Sequence, residues 1–336
     1  MRRSPRRSLV RRLVASAALL LVAPVAAHAQ PFSSLTFFGD SFTDTGNGDI
    51  LAGLFGVPDP TPSPPYAPGR ATNGPVWAEY FAAALGHPLD AAPSLAGGRN
   101  FAVGTARTGT TGALGLPIGM LSQLGAYATS GQTPDPTGLY VLFGGSLDVF
   151  YAALLATQSQ RDVALGTAAG NLAAIVSQLY AVGARSFLVP SLANVGLTPQ
   201  GLASGESALL GGLTSELNML LAGDLAALQP TLPGSTVFGL RLDNLFQNVL
   251  ADAAAGGPRY GLTNATVPCF LGVPCNISVF ADDLHPTTAA DAIIADAAVA
   301  RVLRGQDVTA APEPATLALL GVGLLGVAAV RRRRAA

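Results

Sequence analysis

Five short β-rich segments, at residues 35–38, 100–103, 139–143, 186–190 and 236–240, are separated by Ala- and Leu-rich stretches with helical spacing. This alternation is the strongest constraint on the fold. Parallel strands cannot be joined by a tight hairpin and need a crossover, usually a helix. Strands alternating with helices therefore predict an α/β domain with a five-stranded parallel sheet covered on both faces. The clearest helical stretches are 77–85, 168–182 and 213–228, with Thr214 or Ser215 as the expected cap of the last. Residues 52–75 are rich in proline and glycine and read as a long surface loop. Low charge and many Ala and Gly residues blur the helical period, which leaves the boundaries loose.

The two ends read as addresses rather than fold. Residues 1–29 carry six arginines, then an apolar run from Leu13, then Ala27-His28-Ala29. That order is a basic region, a hydrophobic region and a cleavage site, as in a secretory signal peptide. A membrane anchor is the competing reading. At the other end come Pro312-Glu313-Pro314, an uncharged stretch at 316–330 and Arg331 to Arg334. Fifteen residues make a helix of about 22 Å, short of the roughly 30 Å hydrocarbon core. The expected organisation is a leader at 1–29, a domain at 30–308 and a tail at 309–336.

Removing the ends changes the charge. The domain keeps nine arginines, no lysine and nineteen acidic residues, a formal charge of −10. Nucleic-acid binding needs a basic footprint, so the charge argues against that class. Anionic substrates are repelled at long range. Cys269 and Cys275, the two cysteines, sit in "VPCFLGVPC". In an oxidising compartment their spacing suits a local disulfide. With no histidine nearby they make a poor zinc site, and no metal or cofactor is expected.

Ligands of an open parallel sheet bind beyond the carboxyl ends of the strands. The residues that follow the predicted strands are Gly39-Asp40-Ser41, Gly104-Thr105 and Gly144-Gly145-Ser146-Leu147-Asp148. Further on lies "FADDLHPT", with Asp282, Asp283 and His285. A serine, glycine-rich turns and an acid–histidine pair on one sheet edge point to acyl transfer. Serine is a weak nucleophile and needs a base in reach; histidine suits, and a carboxylate must hold its tautomer. His28 leaves with the leader, and His87 lies in a turn before a proline, so His285 is the candidate base. The G-x-S-x-G pattern is absent: Ser41, Ser146 and Ser207 have glycine at minus two but not at plus two. That argues against a nucleophile elbow.

The chain resembles the SGNH or GDSL esterases and lipases, in their secreted lipase-like branch. "FFGDSFTDTGN" resembles the first block of that family, "RNFAVGTART" the second, and "LFGGSLDVF" stands in the place of the third. "DDLHPT" resembles the fifth, a D-x-x-H pair. "TNGPVWAEYFAAALG" and "PRYGLTNATVPC" are similar to further segments. The resemblance implies a flavodoxin-like three-layer α/β/α sandwich. It makes Ser41 the nucleophile, His285 the base and Asp282, rather than Asp283, its partner. It also implies an oxyanion hole from the backbone of Ser41 with Gly104 or Thr105. The tail resembles a PEP-CTERM sorting signal. That implies a Gram-negative bacterium, processing by an exosortase-type enzyme, transient anchoring, and delivery to the cell surface or extracellular matrix.

Two positions depart from the family pattern. The second block usually ends Gly-Gly and here reads Gly104-Thr105, which keeps the N–H if the local φ allows it. The third usually supplies an asparagine whose side chain donates to the oxyanion; Leu147 stands there and has no donor. Losing one such donor typically costs about 10²–10³ in kcat. Ser146 is a candidate substitute. The expected activity is hydrolysis of a lipid or small-molecule ester. The alternatives are a deacetylase for exopolysaccharide and a surface matrix-binding protein with little turnover.

Overall fold

The run Leu35-Thr36-Phe37-Phe38-Gly39 forms β1 (Leu35–Gly39), with every residue buried. A strand covered on both faces reads as a continuous apolar run rather than an alternation. The same holds for β2 (Leu139–Phe143). Then come β3 (Ser186–Pro190) and β4 (Thr236–Leu240), the last more exposed, as suits an edge. All pairs are parallel, in the order β1-β2-β3-β4, with Leu35 opposite Leu139 and Ser186 opposite Thr236. The computed structural model describes residues 31–304. The leader at 1–29 and the tail at 309–336 lie outside the described residues.

Residues 100–103 run along the free edge of β1 without forming a regular strand. Phe37 N–H donates to the Arg99 carbonyl at 3.0 Å, and Phe101 N–H to that of Phe37 at 2.8 Å. Val103 N–H donates to Gly39 O at 3.3 Å. On the outer side the Asn47 amide donates to the carbonyls of Asn100 and Ala102 at 2.7 and 2.8 Å. One buried side chain thus satisfies acceptors that another strand would otherwise have to meet. The sheet has four regular strands and an irregular fifth member. The chain leaves β1 to one side and returns on the other, which puts the switch of strand order at the carboxyl end of β1.

The helices are α1 (Asn47–Phe55), α2 (Trp77–Ala84), α3 (Met120–Thr129), α4 (Ser146–Ala153) and α5 (Gln158–Ala181). They continue with α6 (Pro199–Ala203), α7 (Ser207–Leu228), α8 (Leu242–Ala254) and α9 (Thr288–Arg304). One packed group is α4, α5 and α7, with α3 against α5; in another, α2 lies against α9 and α9 against β4. This is the three-layer α/β/α sandwich. The aromatics of β1 grip both layers: Phe37 meets Trp77 and Phe81 edge-on at 6.3 and 6.4 Å, and Phe38 meets Tyr127 at 5.8 Å. Burying each such ring contributes about 1.5–3 kcal/mol. Truncating Phe38 to alanine is expected to cost about 3–5 kcal/mol.

Three expectations need correction. Helix α5 begins well before residue 168, with Thr157 accepting the Gln160 N–H as its cap. Helix α7 begins at Ser207, so neither Thr214 nor Ser215 caps it; the Thr214 hydroxyl donates back to Leu210 O at 2.7 Å. The first turn of α5, Gln158-Ser159-Gln160-Arg161, is polar and carries no apolar period, and the glycine pair at 211–212 interrupts the pattern early in α7. The expected loop at 52–75 starts inside α1, which ends at Phe55, and is exposed mainly over 56–65. From Tyr66 onward it docks onto the C-terminal segment: Thr72 donates to Pro286 O at 2.8 Å and Asn73 accepts the Thr288 N–H at 3.0 Å. Side chains that satisfy a distant backbone leave no local sequence pattern.

Candidate active site

The chain turns sharply at the end of β1. A side chain on Gly39 would stand 2.4 Å from the Phe143 carbonyl of β2, so only glycine fits. Gln123 of α3 fixes that residue from both sides, accepting its N–H at 3.0 Å and donating to its carbonyl at 2.8 Å. Asp40 follows, fully buried, and accepts the Ser146 hydroxyl at 2.7 Å and the Phe42 N–H at 3.1 Å. Burial raises its carboxyl to about 6, against the opposing pull of those two bonds. Ser41, half-buried, projects from this turn.

Asp44 ties the turn to the second block. Its carboxylate accepts the amides of Gly46 and Asn47, both at 2.8 Å, and those of Gly48 at 2.9 Å and Gly104 at 2.8 Å. The first three lie at the start of α1, where a negative group complements the helix dipole.

His285 reaches Ser41 from the segment before α9, across 244 positions of chain. Its Nε2 lies 2.8 Å from Ser41 Oγ. Its Nδ1 lies 2.8 Å from Asp282 Oδ2 and 3.1 Å from Oδ1. With the proton on Nδ1 facing the carboxylate, Nε2 is left to accept the serine hydroxyl. Asp282 Oδ1 also accepts the amides of Leu284 and His285 at 2.8 and 2.7 Å. Burial pushes the Asp282 carboxyl up, but bonds to His285 and Leu284 outweigh it and hold it at about 2. The group is therefore charged at any working pH. Asp283 is exposed and makes no bond to the imidazole. His87 belongs to the framework, bonding the Phe32 carbonyl at 2.8 Å.

The expected oxyanion donors separate into occupied and open groups. The Gly104 amide is engaged by Asp44, and the single Ser146 hydroxyl hydrogen by Asp40. Leu147, half-buried in the first turn of α4, offers no donor. The amides of Ser41 and Thr105 donate to no acceptor among the described residues. Thr105 has φ +65°, the only non-glycine residue among those described with a positive value. That conformation explains why glycine is usual there: a β-branched residue is strained in it.

Beside the triad lies a cavity walled almost wholly by apolar side chains, among them Phe42, Phe143, Leu192, Phe246, Leu284 and Ile293; Ser146 and Thr198 are its polar members. Phe42 follows Ser41, and Leu284 and Pro286 flank His285. Cys269 and Cys275 form the expected disulfide. Among the described residues no group of three or more His, Cys, Asp or Glu is placed to hold a metal ion.

Sequence reasoning missed four participants: Asp44, Gln123, Asp40 as the partner of Ser146, and Tyr66, whose hydroxyl donates to Asp282 Oδ2 at 2.7 Å. Asp40 and Asp44 lie within the quoted first block. Nothing local marks the other two.

Residues 35–298 match the family described as GDSL-like lipase/acylhydrolase, and residues 310–334 match the PEP-CTERM protein-sorting motif. Esterase EstA of Pseudomonas aeruginosa is 28% identical over 353 residues, covering 89% of this chain and 51% of that protein. GDSL esterase/lipase 7 of Arabidopsis thaliana is 30% identical over 146 residues, covering 37% of this chain and 40% of that protein. The chain spans about half the length of the curated relatives it matches over most of its own length. Among solved structures, an acetylxylan esterase from Geobacillus stearothermophilus matches with TM-score 0.41 and 14% identity, over 79% of this chain and 91% of that one. A phospholipase A1 from Streptomyces albidoflavus matches with TM-score 0.40 and 16% identity, over 81% and 99%.

Proposed function

Since the chain belongs to the GDSL-like lipase/acylhydrolase family, we propose that it is a serine carboxylic-ester hydrolase working through Ser41, His285 and Asp282. The observation that carries this reading is the unbroken relay from Ser41 Oγ to His285 Nε2 at 2.8 Å and from His285 Nδ1 to Asp282 at 2.8 Å. The likeness to Esterase EstA supports it.

Ser41 Oγ attacks the ester carbonyl carbon while its proton passes to His285 Nε2. The imidazolium is stabilised by the Asp282 carboxylate, which stays charged. The oxyanion is received by the open amides of Ser41 and Thr105. Collapse of the intermediate expels the alcohol, which takes the proton from His285, and leaves an acyl group on Ser41. Water, deprotonated by the same imidazole, attacks the acyl carbon; the bond to Ser41 Oγ breaks, Oγ takes the proton back from His285, and the acid leaves. With Leu147 in place of the usual side-chain donor, the hole rests on two amides, so turnover is slow for this chemistry.

The apolar cavity beside Phe42 and Leu284 supports an ester with an aliphatic acyl chain. A second reading, removal of acetyl groups from an exopolysaccharide, draws on the sorting motif at 310–334. That motif also supports a site of action at the cell surface or matrix of a Gram-negative bacterium. Residues 1–29 would act as signal peptide, and an exosortase-type enzyme would process the tail.

The test is hydrolysis of p-nitrophenyl esters of increasing chain length, beside acetylated sugars, by wild type and Ser41→Ala. The reading expects activity that Ser41→Ala abolishes and that is greater on aliphatic esters. Equal rates from the two proteins would sink it.

A further inference from the structure

We propose that Tyr66 is a positioning residue, holding the Asp282 carboxylate in line with His285, and that the disulfide-closed turn at 269–275 holds Tyr66 through Phe270. This rests on the reading of Ser41, His285 and Asp282 given above.

Tyr66 donates to Asp282 Oδ2 at 2.7 Å, the same oxygen that faces His285 Nδ1 at 2.8 Å. With the imidazole and the phenol both on one carboxylate oxygen, the carboxylate cannot rotate without losing one of them. The amides of Leu284 and His285 fix the other oxygen. Burial first, then the bond to Asp282 and the charges of Asp282 and Asp283, push the Tyr66 phenol well above its usual range. It therefore remains a donor at any working pH. The further carboxylate in the field of His285 is Asp40. Asp40 and Asp283 are both retained in the variants below.

The ring of Tyr66 is gripped as well as its hydroxyl. Phe270 meets it edge-on, with centroids 4.9 Å apart and planes at 82°. Phe270 follows Cys269, which is bonded to Cys275. The Cys269 and Phe270 amides donate to the carbonyls of Phe280 and Ala281 at 2.9 and 3.1 Å. Ala281 precedes Asp282, so Phe270 and the carboxylate hang from one stretch of backbone and close on Tyr66 from two sides. The preceding residues of the Tyr66 loop, 62–65, are exposed. Its contacts to the C-terminal segment lie at and after Tyr66.

Tyr66→Phe keeps the ring and removes the donor. The expected result is a kcat about tenfold lower, the scale of one orienting bond to a charged group, with KM within roughly twofold. The far-downfield Nδ1–H resonance of His285 moves upfield, because a carboxylate free to turn away lengthens and weakens the bond it accepts from that ring. Phe270→Leu, which keeps the hydroxyl and loosens the ring, moves both quantities the same way by less. Unchanged kcat and an unchanged resonance in folded Tyr66→Phe, or in Phe270→Leu if the first does not fold, would overturn the proposal. A resonance that moves in a protein without ester turnover, wild type included, would uphold the positioning role and remove the hydrolase reading.

Discussion

The Ser146 hydroxyl and the Asp40 carboxylate meet at 2.7 Å in the interior, joining the first turn of α4 to the residue before the nucleophile. This bond takes from Ser146 the one hydrogen with which it could serve an oxyanion. It also stabilises a buried charge. Ser146→Ala is expected to destabilise the protein by about 1–3 kcal/mol. The loss is greater at pH 8, where Asp40 is ionised, than at pH 5. Equal loss of Tm at both pH values would mean that Asp40 is not charged in the folded state.

The same carboxyl gives stability a defined pH dependence. Its folded-state value is about 6 and its ordinary value 3.8. Between roughly pH 4 and 6 the folded state holds a proton that the unfolded chain has lost, so this contribution falls as pH rises through that window and is flat above it. Burial raises Asp148 and Asp291 in the same direction. Asp40→Asn keeps an acceptor for Ser146 without the charge. It should raise Tm at pH 8 and reduce, without abolishing, the slope between pH 4 and 6, since burial also raises Asp44 to about 6. A slope identical to that of wild type would assign the effect to other groups.

Thr105 stores backbone strain beside the nucleophile. Thr105→Gly removes the Cβ that disfavours φ +65°. A gain of about 1 kcal/mol is expected, or roughly 2–4 °C in Tm. An unchanged or lower Tm would show that the threonine side chain compensates the strain.

Leu147→Asn restores the side-chain donor that the related third blocks carry. If two amides alone hold the oxyanion, kcat rises toward the roughly 10²-fold such a donor is worth. An unchanged kcat would mean that another group already occupies the hole.

The parts of this protein that were legible are those written in local pattern. Strands β2 and β3 stand where short apolar runs put them, because strands buried on both faces leave uninterrupted runs, and the β-rich run of β4 marks it even at the exposed edge. Residues 100–103 were readable as a strand of the sheet but not as an irregular one, whose outer carbonyls are met by Asn47, far away in sequence. Ser41 could be placed on the sheet edge because strand ends bind ligand, and Asp282 was set before His285 by the resemblance of "DDLHPT" to a D-x-x-H block. Occupancy of the hole could not be read. That Asp44 holds the Gly104 amide, and Asp40 the Ser146 hydroxyl, depends on which way buried carboxylates point. Tyr66 was hidden most completely, in a stretch whose prolines describe its exposed half and not the half that docks.

Ser41 and His285 stand near opposite ends of the described chain. A chain that crosses a membrane starting from its N-terminus delivers Ser41 first and His285 close to last. Up to that moment the serine has no base. A chain lacking residues 282–285 would carry the strands, the turn and Ser41, yet have no imidazole to face that hydroxyl. The 2.8 Å contact between Ser41 and His285 thus closes only when both ends of the described chain are folded together.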